Sequence, residues 1–213
     1  MFDEIKVRFQ EIGIIPVVVF EDAKDAFALG EALVNGGLPA AEVTFRTSAA
    51  EQAIKNLVEA FPDMLVVAGT VLTCEQADRA MAAGAKLIVA PGFNPKVVNY
   101  CIEKGYPVCP GVQTPGEIER AIELGLDFVK FFPAEPAGGL PMIKALAAPY
   151  TKLTFMPTGG INRDNVKDYL KYNRIVACGG TWMVKGDMIS SGDFKGIEAL
   201  AHEAANIVKE VRA

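Results

Sequence analysis

Histidine is nearly absent: His202 is the only one among 213 residues. A lone imidazole excludes mechanisms built on a histidine cluster, including three-histidine zinc sites and Ser-His-Asp triads, and leaves open only a metal site made of carboxylates. Cysteine is sparse, and Cys74, Cys101, Cys109 and Cys178 show none of the short paired spacings of a metal clip. The opening segment, "MFDEIKVRFQEIG", alternates charge and has no apolar stretch of export-signal length. The thiols therefore read as reduced, in a cytosolic protein. No run approaches the length of a membrane span. There is no basic block either: 21 Lys and Arg against 26 Asp and Glu give a net charge of −5, which argues against nucleic acid as a partner. No G-x-G-x-x-G follows the first apolar run, so the usual dinucleotide signal is missing. No Pro/Gly/Ser linker or composition break interrupts the chain, and a single domain over residues 1–213 is expected.

What is present is a well-cored composition, 51% hydrophobic and 22% charged. Short β-branched runs recur at intervals of roughly twenty to twenty-five residues. They are "IIPVVVF", "AAEVTF", "MLVVAGTV", "AKLIVAPG", "YPVCPGV", "DFVKFFPA", "LTFMPTGG" and "RIVACGGTW". Amphipathic segments such as "AEQAIKNLVEAF", "PKVVNYCIEKG" and "DNVKDYLKY" lie between them. Gly84, Gly105 and Gly125 sit where helices end, while Thr73, Thr114 (with Glu117 three residues on) and Asn162 sit where helices start. Near-continuously apolar strands alternating with helices imply a parallel sheet covered by helices. Eight such units predict an α/β fold, a compact (β/α)₈ TIM barrel with an extra helix near residues 2 to 12. A doubly wound open sheet is the alternative.

One lysine, Lys130, sits inside the apolar run "DFVKFFPAE". Strand alternation puts Phe128, Lys130 and Phe132 on one face and Val129 and Phe131 on the other. A solvent-facing lysine on an edge strand is the plain structural reading. In "AEVTFRT", alternation groups Glu42, Thr44 and Arg46, and Val43 and Phe45 pack the opposite way. Arg46 could simply bridge to that glutamate. Glu, Arg and Lys converging in an apolar cavity is costly without a use, however, and the ends of barrel strands are where active sites lie. Gly159–Gly160 and Gly179–Gly180 follow the last two strand runs, where backbone N–H groups commonly bind phosphate. A phosphorylated small-molecule substrate is expected.

"EVTFRT", "AGTVL", "APGF", "FVKFFPAE", "PTGGI" and "CGGTW", in this order and spacing, resemble the 2-keto-3-deoxy-6-phosphogluconate (KDPG) and 4-hydroxy-2-oxoglutarate (KHG) aldolases. The resemblance runs from "IIPVVVF" to the last helix. It implies a class I aldolase barrel, a homotrimer, and a keto-acid phosphate substrate, with neither metal nor other cofactor. Lys130 then matches the Schiff-base lysine and Glu42 the general acid/base. Arg46 and Thr70 match the residues holding the pyruvyl carboxylate, Phe132 the aromatic wall, and Pro91 the pocket loop. Thr158 matches the position touching the sugar-acid chain. Gly159, Gly160, Gly180 and Thr181 match the phosphate site. Thr181 stands where serine is common, and Phe45 and Phe93 where leucine is expected.

Schiff-base chemistry requires a neutral amine, whereas an ordinary lysine, with a pKa of ~10.4, is almost wholly protonated at pH 7. Desolvation between Phe128 and Phe132 is the expected activating environment. Cleavage of the phosphogluconate substrate would give pyruvate and D-glyceraldehyde 3-phosphate, and cleavage of 4-hydroxy-2-oxoglutarate pyruvate and glyoxylate. The 6-phosphogalactonate epimer is an alternative substrate. A phosphosugar isomerase or epimerase, with Glu42 as base and Lys130 only as a charge, is an alternative activity.

Overall fold

The computed structural model describes residues 2–212. The first half of the chain runs α1 (Phe2–Ile12), β1 (Ile14–Val18), α2 (Ala26–Asn35), β2 (Ala40–Thr44), α3 (Ala50–Ala60), β3 (Leu65–Gly69), α4 (Cys74–Ala82), β4 (Ile88–Val89) and α5 (Pro95–Glu103). It continues through β5 (Val108–Cys109), β6 (Gly111–Val112), α6 (Pro115–Glu123), β7 (Phe128–Phe131), α7 (Gly139–Ala147) and β8 (Thr154–Pro157). Next come α8 (Val166–Leu170), β9 (Cys178–Gly180), α9 (Gly186–Ser191) and α10 (Phe194–Arg212).

Local chemistry explains the boundaries of α4, α5 and α6. The Thr73 hydroxyl accepts from the Gln76 N–H at the start of α4, and Thr114 with Glu117 forms a reciprocal capping box on α6. Past the ends of α4, α5 and α6, Gly84, Gly105 and Gly125 take φ of +97°, +70° and +78°, the left-handed turn glycine adopts at little cost. Asn162 departs from expectation. Its side chain accepts from the Asp164 N–H at 2.8 Å, forming a local turn, and α8 begins only at Val166. The amide satisfies a turn in place of a helix end.

All strand pairings are parallel. One sheet has the order β5-β4-β3-β2-β1-β9 and the other β6-β7-β8. The fifth apolar run, expected as one strand, is divided at Pro110. β5 pairs with β4 and β6 with β7, and the proline between them has no N–H to extend a ladder. Single parallel pairings, Phe155 with Ile175 and Thr158 with Gly179, join β8 to the segment of β9.

Alternation along the strands separates two apolar cores. Ala41, Val43, Val129 and Phe131 pack with the helices. Ile15, Ala40, Val67, Val89, Cys109, Phe128 and Met156 form a second cluster with Phe9 of α1. Phe9 meets Phe128 edge-on with ring centroids 5.5 Å apart, and Lys6 pairs with Asp127 at 2.8 Å. Both contacts fasten α1 to the strand that carries Lys130. No described helix is long and apolar enough to cross a membrane.

Candidate active site

The inward faces of β2 and β7 carry two charged side chains deep into the fold. Glu42 is fully buried and Lys130 nearly so, at 4% exposure. Lys130 Nζ donates to Glu42 Oε1 at 2.9 Å, across 88 residues of sequence. Burying one of these charges alone would be strongly unfavourable; as a hydrogen-bonded pair they offset each other. The pair is held from both sides. Phe132 places its ring centroid 5.5 Å from Lys130 Nζ. The Gly69 Cα backs the carboxylate so closely that a Cβ there would lie 2.4 Å from Glu42 Oε1.

Two buried oxygens near this pair, Glu42 Oε2 and Thr158 Oγ1, lack a hydrogen-bond partner among the described residues. Buried polar atoms are seldom left so, and both line one cavity of about 160 Å³. Lys130, Arg46, Thr70, Pro91, Phe132, Gly159, Gly160, Gly180 and Thr181 line it as well. Every site residue named from the sequence thus faces a single space. Thr70 holds φ of +55°, the one described non-glycine residue at positive φ, a strain that commonly marks functional loops.

The geometry removes one plain structural reading and revises one expectation. Arg46 does not bridge to Glu42: it is exposed, and no carboxylate lies within ion-pairing distance of it among the described residues. The strand ends at Thr44, so alternation no longer governs Arg46, which sits at the cavity rim as a cation open to an anion. Desolvation between two rings is also not the whole environment of Lys130. Phe128 belongs to the layer shared with Phe9, whereas the amine has the Glu42 carboxylate as a direct partner.

The two diglycines look alike in sequence and differ in cause. Gly159 and Gly160 have φ of +101° and +81° and are required for a left-handed turn. Gly179 and Gly180 are glycine for space. A Cβ on Gly179 would lie 2.3 Å from Thr158 Oγ1, and one on Gly180 1.9 Å from the Trp182 ring.

Sequence reasoning gave no role to Val17, Thr44 or Ile161, which also line the cavity. Alternation already put Thr44 beside Glu42; its buried hydroxyl donates to the Val18 carbonyl at 3.0 Å. Nothing in the sequence marks Val17. Cys109 lies beneath the pair, and burial pushes its thiol far up, with the Lys130 charge opposing, so it packs as an inert apolar group. Among the described residues no group of three or more His, Cys, Asp or Glu side chains is arranged to hold a metal ion.

The model of the KDPG and KHG aldolase family matches residues 5–200. The chain is 49% identical to the 2-dehydro-3-deoxy-phosphogluconate aldolase of Treponema pallidum (strain Nichols), over 93% of this chain and 95% of that one. A KDPG aldolase from Legionella pneumophila, with pyruvate captured as a covalent carbinolamine intermediate, superimposes with a TM-score of 0.89. It is 37% identical, covering 92% of this chain and 95% of its own. The Zymomonas mobilis ZM4 2-keto-3-deoxy-6-phosphogluconate aldolase with 3-phosphoglycerate gives a TM-score of 0.87 at 38% identity, over 96% and 94% of the two chains. The chain belongs to the KDPG and KHG aldolase family. It is accordingly a lyase of the class I aldolase type.

Proposed function

We propose that this aldolase cleaves 2-dehydro-3-deoxy-6-phosphogluconate to pyruvate and D-glyceraldehyde 3-phosphate, and 4-hydroxy-2-oxoglutarate to pyruvate and glyoxylate. The observation that carries the reading is the buried Lys130–Glu42 contact at 2.9 Å, at the floor of a cavity rimmed by Arg46 and glycine turns. Proton transfer from the Lys130 ammonium to Glu42 along that hydrogen bond would free the amine without moving a heavy atom. The amine then attacks the C2 ketone to give a carbinolamine. Glu42 passes its proton to the departing hydroxyl, so that loss of water leaves an iminium beside a regenerated Glu42 carboxylate. Glu42, directly or through a water, takes the C4 hydroxyl proton. The C3–C4 bond electrons flow into the iminium, the aldehyde departs, and an enamine remains. Glu42 returns a proton to C3, and hydrolysis releases pyruvate and restores Lys130. The electron sink is the iminium, so the lysine itself supplies what a metal would otherwise provide.

The remaining roles follow from position. Arg46 and Thr70 hold the substrate carboxylate, the one by its unpaired guanidinium and the other at the rim. Phe132 and Pro91 wall the pyruvyl end, and Thr158 offers its free hydroxyl to the sugar-acid chain. Gly159, Gly160, Gly180 and Thr181 receive the phosphate, chiefly through backbone N–H groups. The 3-phosphoglycerate in the Zymomonas mobilis relative supports a phosphorylated three-carbon end for the ligand. The gluconate configuration is preferred over the galactonate epimer because the relative at 49% identity is a phosphogluconate aldolase.

We also infer that the two sheets close into one (β/α)₈ barrel domain, with α1 across its N-terminal end. The Thr158–Gly179 pairing, the switch of partners at Pro110 and the separate inner core support this. A homotrimer in a cytoplasmic setting follows from the family resemblance, and a solution mass three times that of the chain checks the assembly. Pyruvate release from the gluconate phosphate, its galactonate epimer and the unphosphorylated C5 acid tests the reaction. Release from the first at the highest kcat/KM is expected; turnover of none of them overturns the proposal.

A further inference from the structure

Outside the cavity, on the far side of the Gly159–Gly160 turn, lies a contact that the mechanism does not use. Glu135 follows β7 and is exposed, while Tyr169 of α8 is buried at 2% exposure. The Tyr169 hydroxyl donates to Glu135 Oε1. The backbone of the same segment runs along the turn: the Ala134 N–H donates to the Thr158 carbonyl at 2.8 Å and the Glu135 N–H to the Gly159 carbonyl at 3.0 Å. The Glu135 stem lies flat on Gly160, where a Cβ would be 2.6 Å from its Cβ and 2.7 Å from its Cγ. Asn165 and Asn162 draw the Gly160 carbonyl outward, donating at 3.1 and 3.4 Å. Glu135 is not among the residues lining the cavity. Its carboxylate is therefore tied on the outer side of a turn whose inner side faces the expected phosphate. Burial, reinforced by the Glu135 carboxylate, pushes the Tyr169 phenol far up, so it remains a donor throughout the neutral range.

We propose that Tyr169 is a positioning residue for the phosphate-binding turn. It anchors Glu135 so that the stem clamps Gly160 and the negative charge stays out of the anion site. The inference rests on the phosphate-site reading above. Without the phenol, the turn loses its clamp and a carboxylate is free to swing toward an anion of the same sign. The glutamate is kept on this account because its extended stem and strong acceptor make the clamp; its charge is the liability that the tyrosine contains.

The test is steady-state kinetics of Tyr169→Phe, Glu135→Gln, the double variant and Thr181→Ala, each on the phosphorylated substrate and on 4-hydroxy-2-oxoglutarate. Tyr169→Phe should raise KM for the phosphorylated substrate about five- to tenfold, the scale of a like charge brought within a Debye length of a phosphate. KM for 4-hydroxy-2-oxoglutarate should move less than about twofold. Adding Glu135→Gln should recover most of that increase, because the repelling charge is gone and only the cost of the loosened clamp remains. A merely structural tyrosine would shift both substrates together and show no rescue, and that result overturns the inference, as does a Tyr169→Phe enzyme unchanged on both. If Thr181→Ala is selective for the phosphorylated substrate and Tyr169→Phe is not, this inference alone falls. If Thr181→Ala affects both substrates equally, the phosphate site itself is misplaced and both readings fall.

Discussion

Substituting Gly69 by alanine is the most searching single perturbation of the catalytic pair. Gly69 closes β3 and is not at positive φ, so alanine meets no backbone strain there. The added methyl would lie 2.4 Å from Glu42 Oε1, 2.7 Å from its Cγ and 2.9 Å from its Cδ. Non-bonded carbon atoms settle at about 3.5–4.0 Å, so the carboxylate must move by roughly 1 Å. Glu42 is fully buried and pairs with Lys130 at 2.9 Å, so the shift breaks the hydrogen bond between base and amine. Overpacking of this kind costs about 1–3 kcal/mol, which for a chain of this length lowers Tm by roughly 2–12 °C. The catalytic loss should be larger. A misplacement near 1 Å costs about 10²-fold in rate, and disengaging a general base up to ~10⁴-fold. Gly116→Ala, where an added Cβ meets nothing within 4 Å, is the matched control and should keep full activity. The assay is pyruvate release at saturating substrate, alongside thermal melting of both variants. A Gly69→Ala enzyme that melts normally and turns over at the parent rate would refute the claim that Glu42 must sit where it does.

Glu42→Gln keeps shape and hydrogen bonding but removes the base, so turnover should fall ~10²–10⁴-fold while Lys130 stays trappable by pyruvate and borohydride after long incubation; near-normal cleavage would remove Glu42 from its role. Thr181→Ala should weaken the phosphorylated substrate by about 1.5–3 kcal/mol, one hydrogen bond to a charged group, with little effect on the unphosphorylated one, as read from KM on each. On α5, the hydrogen bond to Asp78 pushes the Tyr100 phenol up to about 12, with desolvation adding to it. A raised folded-state value stabilises the fold at pH below 10, and that contribution is lost as pH rises from there through about 12. Ultraviolet titration of tyrosinate should show several late-ionising phenols, Tyr169 among them, and Tyr100→Phe should remove the one that ionises near 12; an unchanged titration curve would contradict the assignment.

The parts of this fold that the sequence discloses are those governed by local rules. Period-two alternation put Glu42 and Lys130 on inward faces and Val43 and Phe131 against the helices, because side-chain direction along a strand depends only on neighbouring residues. Helix ends at Gly84, Gly105 and Gly125 were readable for the same reason. α7 was not, since "GGLP" places a glycine at its N-cap and a second glycine and a proline in its first turn, a pattern that reads as loop. The contact between Lys130 and Glu42 was hidden more deeply. It spans 88 residues and depends on which strands become neighbours across the interior, which no local pattern encodes. Arg46 reaches the same cavity as Glu42, as alternation suggested, but its lack of a carboxylate partner among the described residues was not legible because it lies past the end of β2. Asn162 was misread because an amide that caps helices also closes turns. The two diglycines show the same limit, one set by φ and the other by the Thr158 and Trp182 side chains lying over it.

The claim at the centre of the mechanism is that Lys130 becomes covalently bound to the substrate. Incubating the enzyme with pyruvate, reducing with borohydride and mapping the peptides by mass tests it directly. The mechanism predicts a single pyruvyl-derived adduct on Lys130, absent from a Lys130→Arg variant. Labelling of a different lysine, or no adduct from an enzyme that still releases pyruvate, would contradict it.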